Sequence, residues 1–314
     1  MRKEKLMTRM VIRMLLCLVI ISLYISGCSA SEEGDSLDPD SITTFTVTNK
    51  GQKQTFHIIM MDGLIREYIA RAKDNKMKDL ERIYEETVLA PVSSRCYANG
   101  VAEWLVNTYK SNPPTDLISL EKALDNEQVN RMIGAAKESL TKSAEQFPGP
   151  ITNICILPDQ SNLKTTIGIT PGAGKIIIKY IPDSNISIFN SFIAHEYHHS
   201  VWMYKYYDSN RKVDLLENIV MEGKAVYFQT ILYPNVVEFP FDDNKELDEE
   251  FIKNLHSTDP GMIHQIILGG GIFPPNYGYS KGYEILLTYL SSHPNMTIDE
   301  WSQKSAEEIY EGSL

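Results

Sequence analysis

Residues 174–200 read GKIIIKYIPDSNISIFNSFIAHEYHHS. The first third is short and β-branched, which is the signature of a strand, and Pro182 ends it. Asp183-Ser184 then offers an N-cap pair, and apolar residues recur at helical spacing through about residue 207. A strand that passes directly into a helix belongs to a mixed α and β architecture. The helix also carries three of the chain's seven histidines.

On a helix, His195 and His199 project from one face a single turn apart. His198 lies about 100° round the axis from His199 and does not share that face. It reads as a histidine that hydrogen-bonds neighbouring backbone or stands behind the ligands. Glu196 sits beside His195, where its carboxylate can reach water held by the same metal. The arrangement is HExxH, two imidazole ligands with a glutamate general base. The flanks SFIA and SVWM are apolar, so the helix is buried, and buried imidazoles need partners.

Catalytic zinc takes three protein ligands and keeps a fourth position open. Residues 213–232 form a second strong helix, on which Leu215, Ile219, Glu222 and Val226 share one face. A carboxylate in an apolar seam is costly unless it is paired or bound to a cation, so Glu222 is the expected third ligand, with an ion pair to Lys or Arg as the alternative. Gly223 beside it removes a side chain and lets the two helices approach. Glu217, Asp214 and Asp208 compete for the role, and Glu217 sits on a more polar, solvated face.

Outward from this core, residues 43–58 alternate around Asn49-Lys50-Gly51 as a hairpin. Residues 59–147 are helical in pattern, and Pro148-Gly149-Pro150 closes them. Segments 151–158, 164–170 and 174–182 read as a small antiparallel sheet; resemblance to zincins, and not the pattern, implies 174–182 as its edge strand beside the cleft. More helix is expected at 246–256, 259–268, 280–292 and 298–311. The fold class is α+β, mostly helical.

The N-terminus is basic, with Arg2, Lys3, Lys5, Arg9 and Arg13, and the apolar run 14–25 follows. That run is shorter than the roughly 20 residues of a membrane-spanning helix and reads as a signal peptide. It ends ISGC, which resembles the lipobox of bacterial lipoproteins. The resemblance implies cleavage after residue 27 and a lipid on Cys28, hence an extracytoplasmic membrane anchor. Residues 28–42 are an acidic, flexible tether. The expected domain is 43–314, with 43–150 mainly helical and 151–314 catalytic. Removing the basic leader moves the net charge from −11 to −15. Such an acidic chain has no footprint for nucleic acid. Cys96 and Cys155 remain after Cys17 and Cys28; two cysteines make no disulfide framework, so pairing stays open beside two free buried thiols.

HExxH followed 23 residues later by a helical glutamate is similar to the gluzincin pattern of zinc metallopeptidases. HEYHH at 195–199, MEGKAVYF at 221–228 and GYSKGY at 278–283 resemble the predicted zinc-dependent protease family DUF2268. The resemblance implies a zincin-like fold, one Zn2+ per chain on His195, His199 and Glu222, and Glu196 as the catalytic base. It implies a peptide or protein substrate without specifying one. One departure is Lys224, where an aliphatic residue is expected. An oxyanion donor is also needed, and among Tyr277, Tyr279 and Tyr283 the choice falls on Tyr279, at a helix start after a Gly-rich loop. The alternative function is a surface lipoprotein that binds a metal or partner on the same scaffold without catalysing.

Overall fold

A computed structural model describes residues 41–49, 51–98, 111–160, 167–208, 213–236, 238 and 244–314. The expected signal peptide, Cys28 and nearly all of the tether lie outside the described residues. Among the described residues no helix is long and apolar enough to cross a membrane. Leu37–Leu314 forms one compact unit.

The hairpin forms as expected. Strand β1 (Ile42–Asn49) pairs antiparallel with β2 (Gln52–Met60). The chain then crosses over through α1 (Asp62–Asp74), α2 (Leu80–Tyr84), irregular helical turns to residue 97, α3 (Leu117–Ala123) and α4 (Asn126–Gln146). It returns as β3 (Thr152–Pro158), followed by β4 (Ile167–Gly172) and β5 (Lys175–Tyr180). One sheet holds all five strands in the order β1-β2-β3-β5-β4.

The expected small antiparallel sheet is corrected in two ways. The N-terminal hairpin joins it, because β2 pairs parallel with β3, and β3 pairs parallel with β5. Only the outer pairs, β1 with β2 and β4 with β5, are antiparallel. The helical crossover from β2 to β3 is what permits the parallel pairing. The expected edge strand is also displaced: β5 is internal, and β4 forms the edge on that side, with β1 at the other. Its sequence explains this, since Ile176, Ile177 and Ile178 are all fully buried. Three consecutive apolar residues face both sides of a sheet, so both must be covered.

Covering is done by two cores. Ile59, Cys155, Leu157 and Ile177 point to one face, against α1, α2, α3 and the turns between. Phe56, Ile58, Ile154, Ile156, Ile176 and Ile178 point to the other. On that second face lie α4, then α5 (Ile186–Tyr206) and α6 (Leu215–Leu232). The same core takes in α7 (Lys245–Lys253), α8 (Pro260–Leu268), α9 (Tyr277–Ser292), α10 (Ile298–Gln303) and α11 (Ala306–Glu311). Cys96 and Cys155 form a disulfide with Cα atoms 6.1 Å apart, tying the turns after α2 to the centre of β3.

Candidate metal centre

Helix α5 is buried through most of its length: Phe189, Ile193, Ala194, Tyr197 and Val201 are each fully covered. Its N-cap is Asn185, whose carboxamide oxygen accepts from the amides of Ser187 and Ile188, and not the expected Asp183-Ser184 pair. Ser184 instead closes the preceding turn on Ile181. The helix is fastened to the β4–β5 turn, where the Gly174 amide donates to Ser200 Oγ at 2.9 Å. A helix held this way presents His195 and His199 from a fixed backbone.

Helix α6 starts at the N-cap Asp214, which accepts from the Glu217 amide at 3.1 Å. Its Glu222 reaches the two histidines. Glu222 Oε2 lies 3.1 Å from His195 Nε2 and 3.2 Å from His199 Nε2, and the two imidazole nitrogens are 3.1 Å apart. These three residues are the metal-ligand group found among the described residues. The competing acids do other work. Asp214 caps its helix and pairs with His256, and Asp208 is exposed. Glu217 is buried, contrary to the expectation of a solvated face, in the first turn of α6, where helix-end amides favour a carboxylate.

The donor set fits zinc. Tetrahedral zinc with ligands at about 2.0–2.1 Å requires ligand atoms about 3.3 Å apart, close to the triangle observed. Two imidazole nitrogens and a carboxylate oxygen, all within 3.2 Å of one another, form a set that could hold one metal ion. Burial pushes the Glu222 carboxyl up, but the imidazoles of His199 and His195 outweigh it and hold the group well below the usual range. Burial lowers His199, and the charge and hydrogen bond of Glu222 more than reverse this.

Glu196 is buried beside the triangle, on the side toward β4. The Thr170 hydroxyl lies 2.8 Å from both Glu196 Oε2 and the Glu196 carbonyl oxygen, sharing its proton between them. A Cβ at Gly168 would come within 2.5 Å of Glu196 Cγ and 2.7 Å of Oε1, so the absence of a side chain there makes room for the carboxylate. Burial raises the Glu196 pKa, with the neighbouring imidazoles and Thr170 opposing.

The three tyrosines of 277–283 separate clearly. Tyr277 is buried against Phe273 and Phe251. Tyr283 packs towards Tyr227. Tyr279 stands 5.9 Å from His195, ring to ring. The Glu222 charge, then burial and the Glu196 charge, raise its pKa well above 10, which favours the protonated phenol, a hydrogen-bond donor. A glycine crossing sets its position. A Cβ on Gly223 would fall 2.1 Å from the Gly282 carbonyl oxygen, and one on Gly282 would fall 2.0 Å from that of Ile219. Gly223 therefore brings α6 against α9, not against α5 as the sequence suggested.

His198 is fully buried between the rings of Phe147 and Trp301. Its Nε2 meets the hydroxyl of Ser302 at 3.0 Å, a side chain where neighbouring backbone was expected. Burial, then the charges of His199 and Lys224, hold its pKa well below 6.5, so it is neutral. Lys224, the unusual residue after Glu-Gly, points away from the triangle and donates to the carbonyls of Ser302 and Lys304. Trp202 Nε1 donates to the same Ser302 carbonyl at 3.1 Å. The end of α10 thus braces both ligand-bearing helices from behind. Ser302, Thr170 and Gly168 lie far in sequence from the helix they serve, and no local pattern marked them.

A buried His-x-x-x-His turn completed by a glutamate from the following helix, with an adjoining glutamate held free of the ligand triangle, is a candidate mononuclear metal centre of the zinc-peptidase type. The chain belongs to the DUF2268 family, described as predicted Zn-dependent proteases, whose model matches residues 132–311. It is also similar to the "Uncharacterized protein YjaZ" of Bacillus subtilis (strain 168), at 24% identity over 168 residues. That match takes in 49% of this chain and 64% of the relative, less than two thirds of the relative's length.

Proposed function

We propose that the protein is a lipid-anchored, extracytoplasmic zinc metallopeptidase of zincin-like architecture. The observation that carries the reading is the near-equilateral triangle of His195 Nε2, His199 Nε2 and Glu222 Oε2 with Glu196 beside it. His195, His199 and Glu222 would hold the zinc, which when bound would supply Lewis acidity and lower the pKa of water there to about 7. Glu196 accepts the proton of the attacking water at its carboxylate and passes it to the leaving amine. Tyr279 donates its phenolic hydrogen to the carbonyl oxygen as negative charge develops there. β4 is the sheet edge and packs on α5, so an extended peptide that paired with it would run past Glu196. A binding protein without catalysis has no use for a buried carboxylate held by Thr170 and accommodated by Gly168.

The disulfide suits an oxidising exterior, and the ISGC stretch supports the lipid on Cys28. The test uses purified residues 29–314. Wild type is expected to hold about one zinc per chain and to cleave peptides from a mixed library. Glu196→Gln should keep the metal and lose hydrolysis; full activity in that variant removes Glu196 as the base. A wild type that cannot be loaded with zinc ends the reading. For the anchor, Cys28→Ser in the full chain should abolish lipid labelling and membrane retention.

A further inference from the structure

Gln229 lies on α6 seven residues beyond Glu222, two turns along the same face. Its side chain is buried behind the ligand triangle. Its Oε1 is 3.2 Å from His195 Nδ1, and its Nε2 is 3.3 Å from Ser191 Oγ. Ser191, one turn before His195 on α5, donates its own proton to the Ile188 carbonyl at 2.9 Å. The Ser191 oxygen can then only accept from the amide, which settles which end of Gln229 faces which neighbour. The carbonyl end must face His195, and a carbonyl cannot donate. His195 Nδ1 therefore carries the ring proton, and Nε2 presents its lone pair to the space between Glu222 and His199.

We infer that Gln229 is a positioning residue that holds His195 in the Nδ1–H tautomer and keeps Nε2 free for the metal. This rests on the metal-site reading proposed above. A flipped amide would place an N–H against Nδ1, drive the proton to Nε2 and block the ligand position. The choice of an amide matters too. Histidine ligands are often oriented by carboxylates. Here Glu222 and Glu196 already place two carboxylates in one buried site, and a third would oppose ionisation of the base. A neutral acceptor orients the ring without adding that charge. The control acts at one ligand alone, because His199 Nδ1 has no hydrogen-bond partner among the described residues.

The test reads tautomers directly, by nitrogen-15 spectra of the imidazole rings in metal-free Glu222→Ala protein at a pH where they are neutral, because in wild type the Glu222 carboxylate 3.1 Å from His195 Nε2 competes for a proton there. With that competitor gone and Gln229 intact, His195 should be Nδ1–H, and an Nε2–H ring overturns the inference. Zinc affinity is then measured by competition with a chelator. Gln229→Leu should lose the tautomer preference and weaken zinc binding about 10–100-fold. Gln229→Glu, which keeps an acceptor, should keep both, while the acid limb of kcat/KM moves to higher pH; it also stands in if the leucine variant fails to fold. Zinc uptake of unchanged affinity and an unchanged tautomer in Gln229→Leu overturns the role of Gln229 alone. Absence of zinc uptake by wild type overturns the metal-site reading beneath it.

Discussion

At the scale of single residues, Glu196, the proposed base, is governed by two small neighbours on an edge strand. Thr170 donates to the Glu196 carboxylate and so favours its charged form. Thr170→Val keeps the shape and removes the donor, which raises the Glu196 pKa further. A base works only when deprotonated, so the acid limb of the pH–rate profile should move up. The loss in kcat/KM should be larger at acid than at alkaline pH, with metal content unchanged. Gly168→Ala acts by space instead, since its Cβ would lie 2.5 Å from Glu196 Cγ. The carboxylate must move, and kcat should fall at every pH while zinc stays bound; steady-state kinetics beside metal analysis separate the two variants.

At the scale of elements, the site depends on how α6, α9 and α10 meet α5. Gly223 and Gly282 allow backbone-to-backbone contact, and this places Tyr279 beside His195. Alanine at either position should cost about 1–3 kcal/mol or more by overpacking. It should lower the thermal midpoint together with kcat, whereas Tyr279→Phe should lower kcat with the midpoint nearly unchanged. Ser302→Ala removes the hydroxyl facing buried His198 and should cost about 1–3 kcal/mol, read by denaturant unfolding. The ligand helix and the glutamate one helix later were legible in the sequence, because helical spacing alone puts His195, His199 and Glu222 on usable faces. The strands were legible as strands, but not their order, since pairing is set by the crossover and not by local pattern. The misplacements share a cause. Gly223 showed that something comes close, and nothing local could say that it is α9. Lys224 departs from the local pattern because its ammonium serves the carbonyls of Ser302 and Lys304, which come from a distant element.

At the scale of the whole molecule, the disulfide joins residues 59 apart in sequence and pins one helical layer to the middle of the sheet. A loop of that length limits the unfolded chain by about 4 kcal/mol on the loop-entropy account. The Cys96→Ala/Cys155→Ala double variant should therefore melt earlier than wild type, with a gap that closes when wild type is melted in reductant. The metal centre lies on the other face of the sheet, among the other core, and its zinc affinity should change little.

The brace at Ser302 also sets an order of events during biosynthesis. His198, Trp202 and Lys224 all close onto a residue that leaves the ribosome about a hundred positions after the histidines. Until then both ligand helices lack their backing, and the Lys224 ammonium lacks two of its acceptors. The candidate metal centre thus gains its backing late in synthesis, once residue 302 is available to pack. A chain stopped before Ile298 should bind zinc far more weakly than the full protein.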